Sequence, residues 1–265
     1  MNKRFIVFLS SRKSWTLPYI IFSAIFVIIP LFLIVVYAFT DDSGHLTLAN
    51  FQKFFEHPEA INTFVYSIGI AIITTLVCIL LGYPAAWILS NSKLNRSKTM
   101  VVLFILPMWV NILVRTLATV ALFDFFSVPL GEGALIFGMV YNFIPFMIYP
   151  IYNTLQKMDH SYIEAAQDLG ATPMQALWKV IIPEIRPGMI SGFMLALTLS
   201  IDDFAVTVFT IGNQGLETLS TYIYADARKG GLTPELRPLS AIIFVVVLAL
   251  LVVINYRAGK TKKKD

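Results

Sequence analysis

Charge is scarce in this sequence. Only 14% of its 265 residues are Asp, Glu, Lys or Arg, where a soluble domain carries roughly 25%. One cysteine is present, Cys78, so no disulfide can form within the chain. It lies inside an apolar run and reads as a small packing residue. No G-x-x-x-x-G-K-[ST] phosphate loop occurs, nor H-E-x-x-H, G-x-S-x-G or a Cys/His cluster. These absences argue against an ATPase, a membrane protease or a metalloenzyme, and they imply no cofactor. The low charge also excludes a disordered chain, a nucleic-acid-binding domain and an ordinary cytosolic enzyme.

What fills the space is apolar. Hydrophobic residues make up 57% of the chain and the mean hydropathy is +0.74. Crossing a hydrocarbon core takes about 20 mostly apolar residues. Stretches of that kind lie near 17–39, 62–89, 99–125, 134–155, 187–211 and 239–256. The expected class is an all-α polytopic membrane protein with six transmembrane helices. A cytoplasmic segment at 1–16 precedes the spans of residues 17–256, and a basic tail at 257–265 follows them. Leu17 to Phe39 is too long for a signal h-region of roughly 7–15 residues, so it reads as a retained span. Pro and Gly inside several spans are tolerated where neighbouring helices satisfy the freed backbone groups.

Basic residues orient the chain. Lys3, Arg4, Arg12, Lys13, Lys93, Arg96, Lys98, Lys157, Lys179, Arg186, Arg257, Lys260, Lys262, Lys263 and Lys264 fall in the two termini and two alternate loops. The other loops hold only Lys53, Arg228, Lys229 and Arg237. This asymmetry puts both termini in the cytoplasm, and the expected location is the cell (inner) membrane, crossed several times. On the outer side, Leu48, Phe51, Phe54 and Phe55 are spaced for one face of a short interfacial helix.

The cytoplasmic loop at about 157–186 reads as two short helices. Ser161-Tyr-Ile-Glu164 fits a capping box, Gly170 suits a left-handed helix stop, and Thr172-Pro173-Met174-Gln175 repeats the capping device. The second helix is predicted to end at Ile182, before Pro183, with the next span starting at Pro187. Ile163, Ala166 and Leu169 form an apolar edge that either enters a groove on a soluble partner or lies against the bundle.

The pattern Glu164-Ala165-Ala166-x-x-x-Gly170, then nine residues, then Val180-x-Ile182-Pro183 resembles the EAA loop of ABC-importer permease subunits. Leu81-Gly-Tyr-Pro-Ala-Ala-Trp87 and the stretch from Leu106 to Arg115 resemble the first permease of spermidine/putrescine importers. Leu199-Ser-Ile-Asp-Asp-Phe204 and Thr233-Pro-Glu235 resemble the second. The resemblance implies a type I ABC-importer permease fold and a second permease subunit. It further implies two copies of an ATP-binding subunit, an extracytoplasmic solute-binding protein and a polyamine substrate. Glu164, Ala165, Ala166 and Gly170 then belong to the contact with the ATPase. Related permeases for ferric iron or an anion, and a secondary transporter, are the alternatives.

Ionisable residues within spans face a bundle interior or a watery path. Span three enters from the cytoplasm near Thr99 and span five near Pro187, so Arg115, Asp202 and Asp203 all lie at similar depth, about 22–24 Å along the helical rise. Either Arg115 pairs with an aspartate and locks the two spans together, or a carboxylate faces the path and meets a cationic solute. The working assignment gives one aspartate to Arg115 and the other to the path. Asn111, on the face of Arg115, extends the polar patch, and Trp109, Tyr141 and Asn142 are further candidates for the path. As a bland alternative, these residues pack between helices.

Overall fold

The computed structural model describes residues 16–41, 43–91, 99–159, 161–212, 215, 217–229, 233, 236–245 and 248–249. Segment 1–15, tail 257–265 and about half of the expected sixth span lie outside these residues. The described chain is helical. It forms no strand, and a single isolated antiparallel bridge joins Thr40 to Leu46.

Among the described residues, four helices are long and apolar enough to cross a membrane: α1 (Leu17–Ala38), α3 (Pro58–Ser90), α6 (Glu132–Leu155) and α8 (Pro173–Ile201). Where the third span was expected the chain forms a bent apolar pair, α4 (Thr99–Trp109) and α5 (Ile112–Phe125), whose axes differ by 100°, the geometry of a broken span or a re-entrant loop. The shorter helices are α2 (Ala49–Glu56), α7 (Ser161–Asp168), α9 (Ala205–Thr210) and α10 (Leu219–Ala227). A helix at 237–245, α11, begins where the sixth span was expected.

The chain divides into two compact units. The first comprises residues up to Asn62 and from Asp226 onward. In it, α2 forms where the aromatic spacing predicted a helix. Phe54 is buried and Phe51 stacks on Phe39 at 4.9 Å, whereas Leu48 and Phe55 are exposed. Buried Asn50 holds the turn before α2 by donating to the carbonyls of Ala38 (3.2 Å) and Thr40 (3.0 Å). Asp41 closes that turn, its carboxylate accepting the N–H groups of Ser43 (2.9 Å) and His45 (2.8 Å).

The second unit runs from Thr63 to Ala225. Its core is built on α6, which buries Leu135, Met139, Phe143, Met147, Ile151 and Leu155 against Ile70, Cys78 and Ala86 of α3 and Ile185 and Ala196 of α8. Cys78 packs in this core, as its apolar setting suggested. Glycines allow the close approach. A Cβ on Gly192 would stand 2.9 Å from the Met147 carbonyl oxygen, and one on Gly188 would run into Thr154 Oγ1 and the Pro150 carbonyl.

Two proline sites depart from expectation. The second loop helix does not end before Pro183, and span five does not begin at Pro187; α8 runs unbroken from Pro173 to Ile201. A π turn at Leu177–Ile181 precedes Ile182-Pro183, just as one at Ala24–Ile28 precedes Ile29-Pro30 in α1. A proline ring clashes with the carbonyl four residues earlier in a regular helix. The wider turn moves that carbonyl aside and keeps the rod continuous.

Candidate functional site

The loop between α6 and α8 is held by two local devices. At the end of α7, Gly170 takes φ +85°. There Gly170 N–H donates to the Gln167 carbonyl (2.8 Å) and Ala171 N–H to the Ala166 carbonyl (3.0 Å), the pattern of a Schellman stop. At the start of α8, Thr172 and Gln175 form a complete capping box: Gln175 N–H donates to Thr172 Oγ1 (3.3 Å) and Thr172 N–H to Gln175 Oε1 (2.9 Å). The predicted box at Ser161–Glu164 is not formed. Ser161 is already helical, and its N–H is taken by the Asp159 carboxylate at 2.9 Å, since an aspartate two residues earlier reaches the orphan donor first. Glu164 and Ala165 are exposed and Ala166 half-buried, and Leu169, Met174 and Trp178 project apolar side chains into the open.

The second constellation sits at the bend of span three. At Leu106–Trp109, around Pro107, the chain tightens to a 3-10 turn, Val110 is extended, and Asn111 caps α5 by accepting Leu113 N–H at 2.8 Å. Beneath the bend lies a cavity of about 410 Å³ lined by Trp109, Asn111, Arg115, Phe143, Phe146 and Leu199, with Met108, Val110 and Ile112. Asn111 and Arg115 therefore do share a surface, although Asn111 reaches it as a cap rather than along a helix face. Trp109 is 87% exposed.

Arg115 is 7% exposed and donates from Nη1 to the Asn142 carbonyl oxygen at 3.3 Å. Among the described residues its Nε has no hydrogen-bond partner, and neither has Oδ1 of the fully buried Asn142, whose amide nitrogen is spent on Gly138 O. The expected lock between Arg115 and an aspartate does not form. The bend also overturns the equal-depth reading behind it. The eleven residues of α4 rise about 16 Å at helical pitch, after which α5 leaves at 100°.

The two aspartates part company. Span five stops at Ile201, and Asp203, 5% exposed, caps the start of α9. Its carboxylate accepts Val206 N–H (3.2 Å), Thr207 N–H (2.9 Å) and Thr207 Oγ1–H (3.0 Å). Asp202 is exposed, and its carboxylate has no hydrogen-bond or ion-pair partner among the described residues. Tyr141 is 43% exposed and lies outside the cavity lining. Sequence reasoning missed Phe143, Phe146 and Leu199, which read as ordinary core; the bend was legible in Pro107 followed by a cap-forming Asn111 ahead of an apolar run.

Solved structures share this architecture. A chain of a bacterial ABC transporter involved in the import of the acidic polysaccharide alginate superposes with a TM-score of 0.66 at 16% identity, covering 94% of this chain and 98% of that one. The MetNI methionine ABC transporter, in inward-facing conformations, gives 0.51 at 19% identity, over 77% and 98%. The fold is thus that of an ABC-importer permease subunit.

Residues 78–258 match the family described as binding-protein-dependent transport system inner membrane component, and the chain belongs to it. It is similar to the spermidine/putrescine transport system permease protein PotB of Escherichia coli (strain K12), 32% identical over 72% of this chain and 78% of that protein. PotB of Haemophilus influenzae is 30% identical over 89% of both chains, and PotC of the same organism 28% identical over 84% and 88%. The protein is a multi-pass membrane transport subunit rather than an enzyme.

Proposed function

We propose that this chain forms half of the translocation path of a polyamine importer and is driven by a separate ATPase docked on the loop at about 157–186. The observation that carries the substrate is the kinship with spermidine/putrescine permeases over most of the chain. In this reading both termini lie in the cytoplasm, consistent with the basic bias of the alternate loops. A solute-binding protein delivers the polyamine to the outer mouth, and a second permease completes the path.

Asp202 supplies the free carboxylate that meets an ammonium group. Trp109, 87% exposed, offers an aromatic face to a further amine. Asp203 supports the path indirectly, by fixing the chain reversal between α8 and α9. On the cytoplasmic side, one of the two ATP-binding subunits grips Glu164, Ala165, Ala166 and Gly170 together with the exposed Leu169, Met174 and Trp178. The Schellman stop and the capping box make this loop stiff enough to pass on their movement.

The test is radiolabelled spermidine uptake in cells carrying the whole operon, comparing wild type with Asp202→Asn and Asp203→Asn. The expected result is loss of uptake in Asp202→Asn at normal membrane level. Absence of uptake in the wild type discards the polyamine. An anionic solute is the second reading, favoured by the cationic Arg115 in the cavity wall, and unlabelled anions and polyamines competing in the same assay separate the two.

A further inference from the structure

Arg115 presents an unanswered requirement. Its guanidinium lies in the first turn of α5, past the bend and deep within span three, and is 7% exposed. One backbone carbonyl takes Nη1, Nε is orphaned, and no carboxylate among the described residues pairs with it. A buried guanidinium left this way is strongly unfavourable. Yet it borders an unfilled cavity of about 410 Å³ whose other walls are mostly apolar. A cavity of that size accommodates a whole side chain, and an arginine in its wall can donate to a carboxylate placed there.

We infer that the cavity under the bend is a socket for an Asp or Glu side chain of the second permease, which pairs there with Arg115. This rests on the two-permease reading above, and charge complementarity selects the occupant. A polyamine is cationic and does not pair with Arg115. Asp202, whose carboxylate is unpartnered among the described residues, follows the cavity-lining Leu199 by three residues but makes no ion pair with Arg115. The apolar wall of Met108, Phe143, Phe146 and Leu199 excludes water from the pair and so strengthens it. Arg115 is then a positioning residue, which fixes the register of the two permeases at the depth where the span bends.

The test uses the full transporter expressed from its operon, with a tag on this chain. Membrane level of the tagged chain and co-purification of the second permease are read separately from spermidine uptake. Arg115→Glu should lower recovery of the second permease roughly ten-fold or more, the scale expected when one member of a buried charged pair is reversed. Arg115→Lys, which keeps the charge, should retain most of it. Each Asp and Glu in the spans of the second permease is then changed to Lys or Arg in the Arg115→Glu background. Restored recovery from one such position supports the socket, and a variant that had merely misfolded could not be rescued in this way. Rescue by no position in the partner, or rescue by Asp202→Lys within this chain, overturns it. So does normal assembly of Arg115→Glu with uptake alone lost, which makes Arg115 a substrate contact. If spermidine is not the substrate, the co-purification arms still read, so failure of the polyamine reading and failure of the socket are told apart.

Discussion

Asp203 Oδ2 accepts both the backbone N–H and the hydroxyl of Thr207, at 2.9 and 3.0 Å. The Thr207 hydroxyl in turn receives Thr218 Oγ1 at 3.5 Å, and Thr218 lies 3.4 Å from Thr221. This buried chain ties the start of α9 to the segment entering α10. Asp203→Ala leaves two backbone donors buried without an acceptor, a loss of about 1–3 kcal/mol. Melting of the detergent-solubilised protein should fall accordingly, while Asp202→Ala, on the exposed neighbour, melts like wild type. Equal melting of the two variants would show that the carboxylates do not divide as described.

The contact between α6 and α8 depends on bare backbone. Gly188→Ala and Gly192→Ala push a methyl group into Thr154 with the Pro150 carbonyl, and into the Met147 carbonyl, respectively. Backbone atoms cannot step aside as a flexible side chain does, so each change is expected to lose about 1–3 kcal/mol. Gly133→Ala, with open space around it, serves as the control and should leave thermal stability unchanged or slightly raised.

In the loop, Gly170 has nothing within 4 Å of an added Cβ but sits at φ +85°. Gly170→Val is therefore opposed by backbone strain alone, on the order of 1–3 kcal/mol, whereas Gly170→Asn tolerates the left-handed region. If the loop couples to the ATPase, uptake should fall in Gly170→Val and largely survive in Gly170→Asn. Trp178→Asp, on the exposed face, should abolish ATP-driven uptake without lowering the amount of protein in the membrane. Uptake retained in Trp178→Asp removes that face from the coupling contact.

Asp41 is held below its ordinary value of 3.8, chiefly by the hydrogen bond from His45 N–H, with Ser43 N–H adding to it. A carboxyl depressed on folding stabilises the turn at and above its ordinary value, and that stabilisation is lost as pH falls through the lower folded value. Amide exchange at Ser43 and His45 should stay protected down to the ordinary aspartate range and rise only below it. Protection in Asp41→Asn should not follow pH in this way.

Span positions 17–39, 62–89 and 134–155 were readable because long apolar runs are the strongest signal a membrane sequence offers. The loop was half readable. Gly170 and the Thr172–Gln175 box behaved as their local chemistry dictates, but Asp159 displaced Ser161 as the helix-starting acceptor, a competition that motif spacing does not express. Hydropathy is blind to direction, so residues 99–125 read as one straight rod, although Pro107 and Asn111 mark a corner. The error carried into the site, because placing Arg115 level with the aspartates assumed a straight helix. Asp203 could not be told from Asp202 until the stop at Ile201 assigned one of them to the backbone of α9.

Because the π turn lets α8 pass Pro183 without a break, the loop segment from Pro173 and span five form a single 29-residue rod. At helical rise it is about 43 Å long. A rod of that length is a lever. With Thr172 at one tip and Asp202 just beyond the other, a tilt of about 5° about the Thr172 end sweeps the Asp202 end through roughly 4 Å, more than the width of a hydrogen bond. If the loop couples to the ATPase, a small tilt of this rod is enough to make or break a contact near Asp202, and α6, packed on Gly188 and Gly192, has to shift with it.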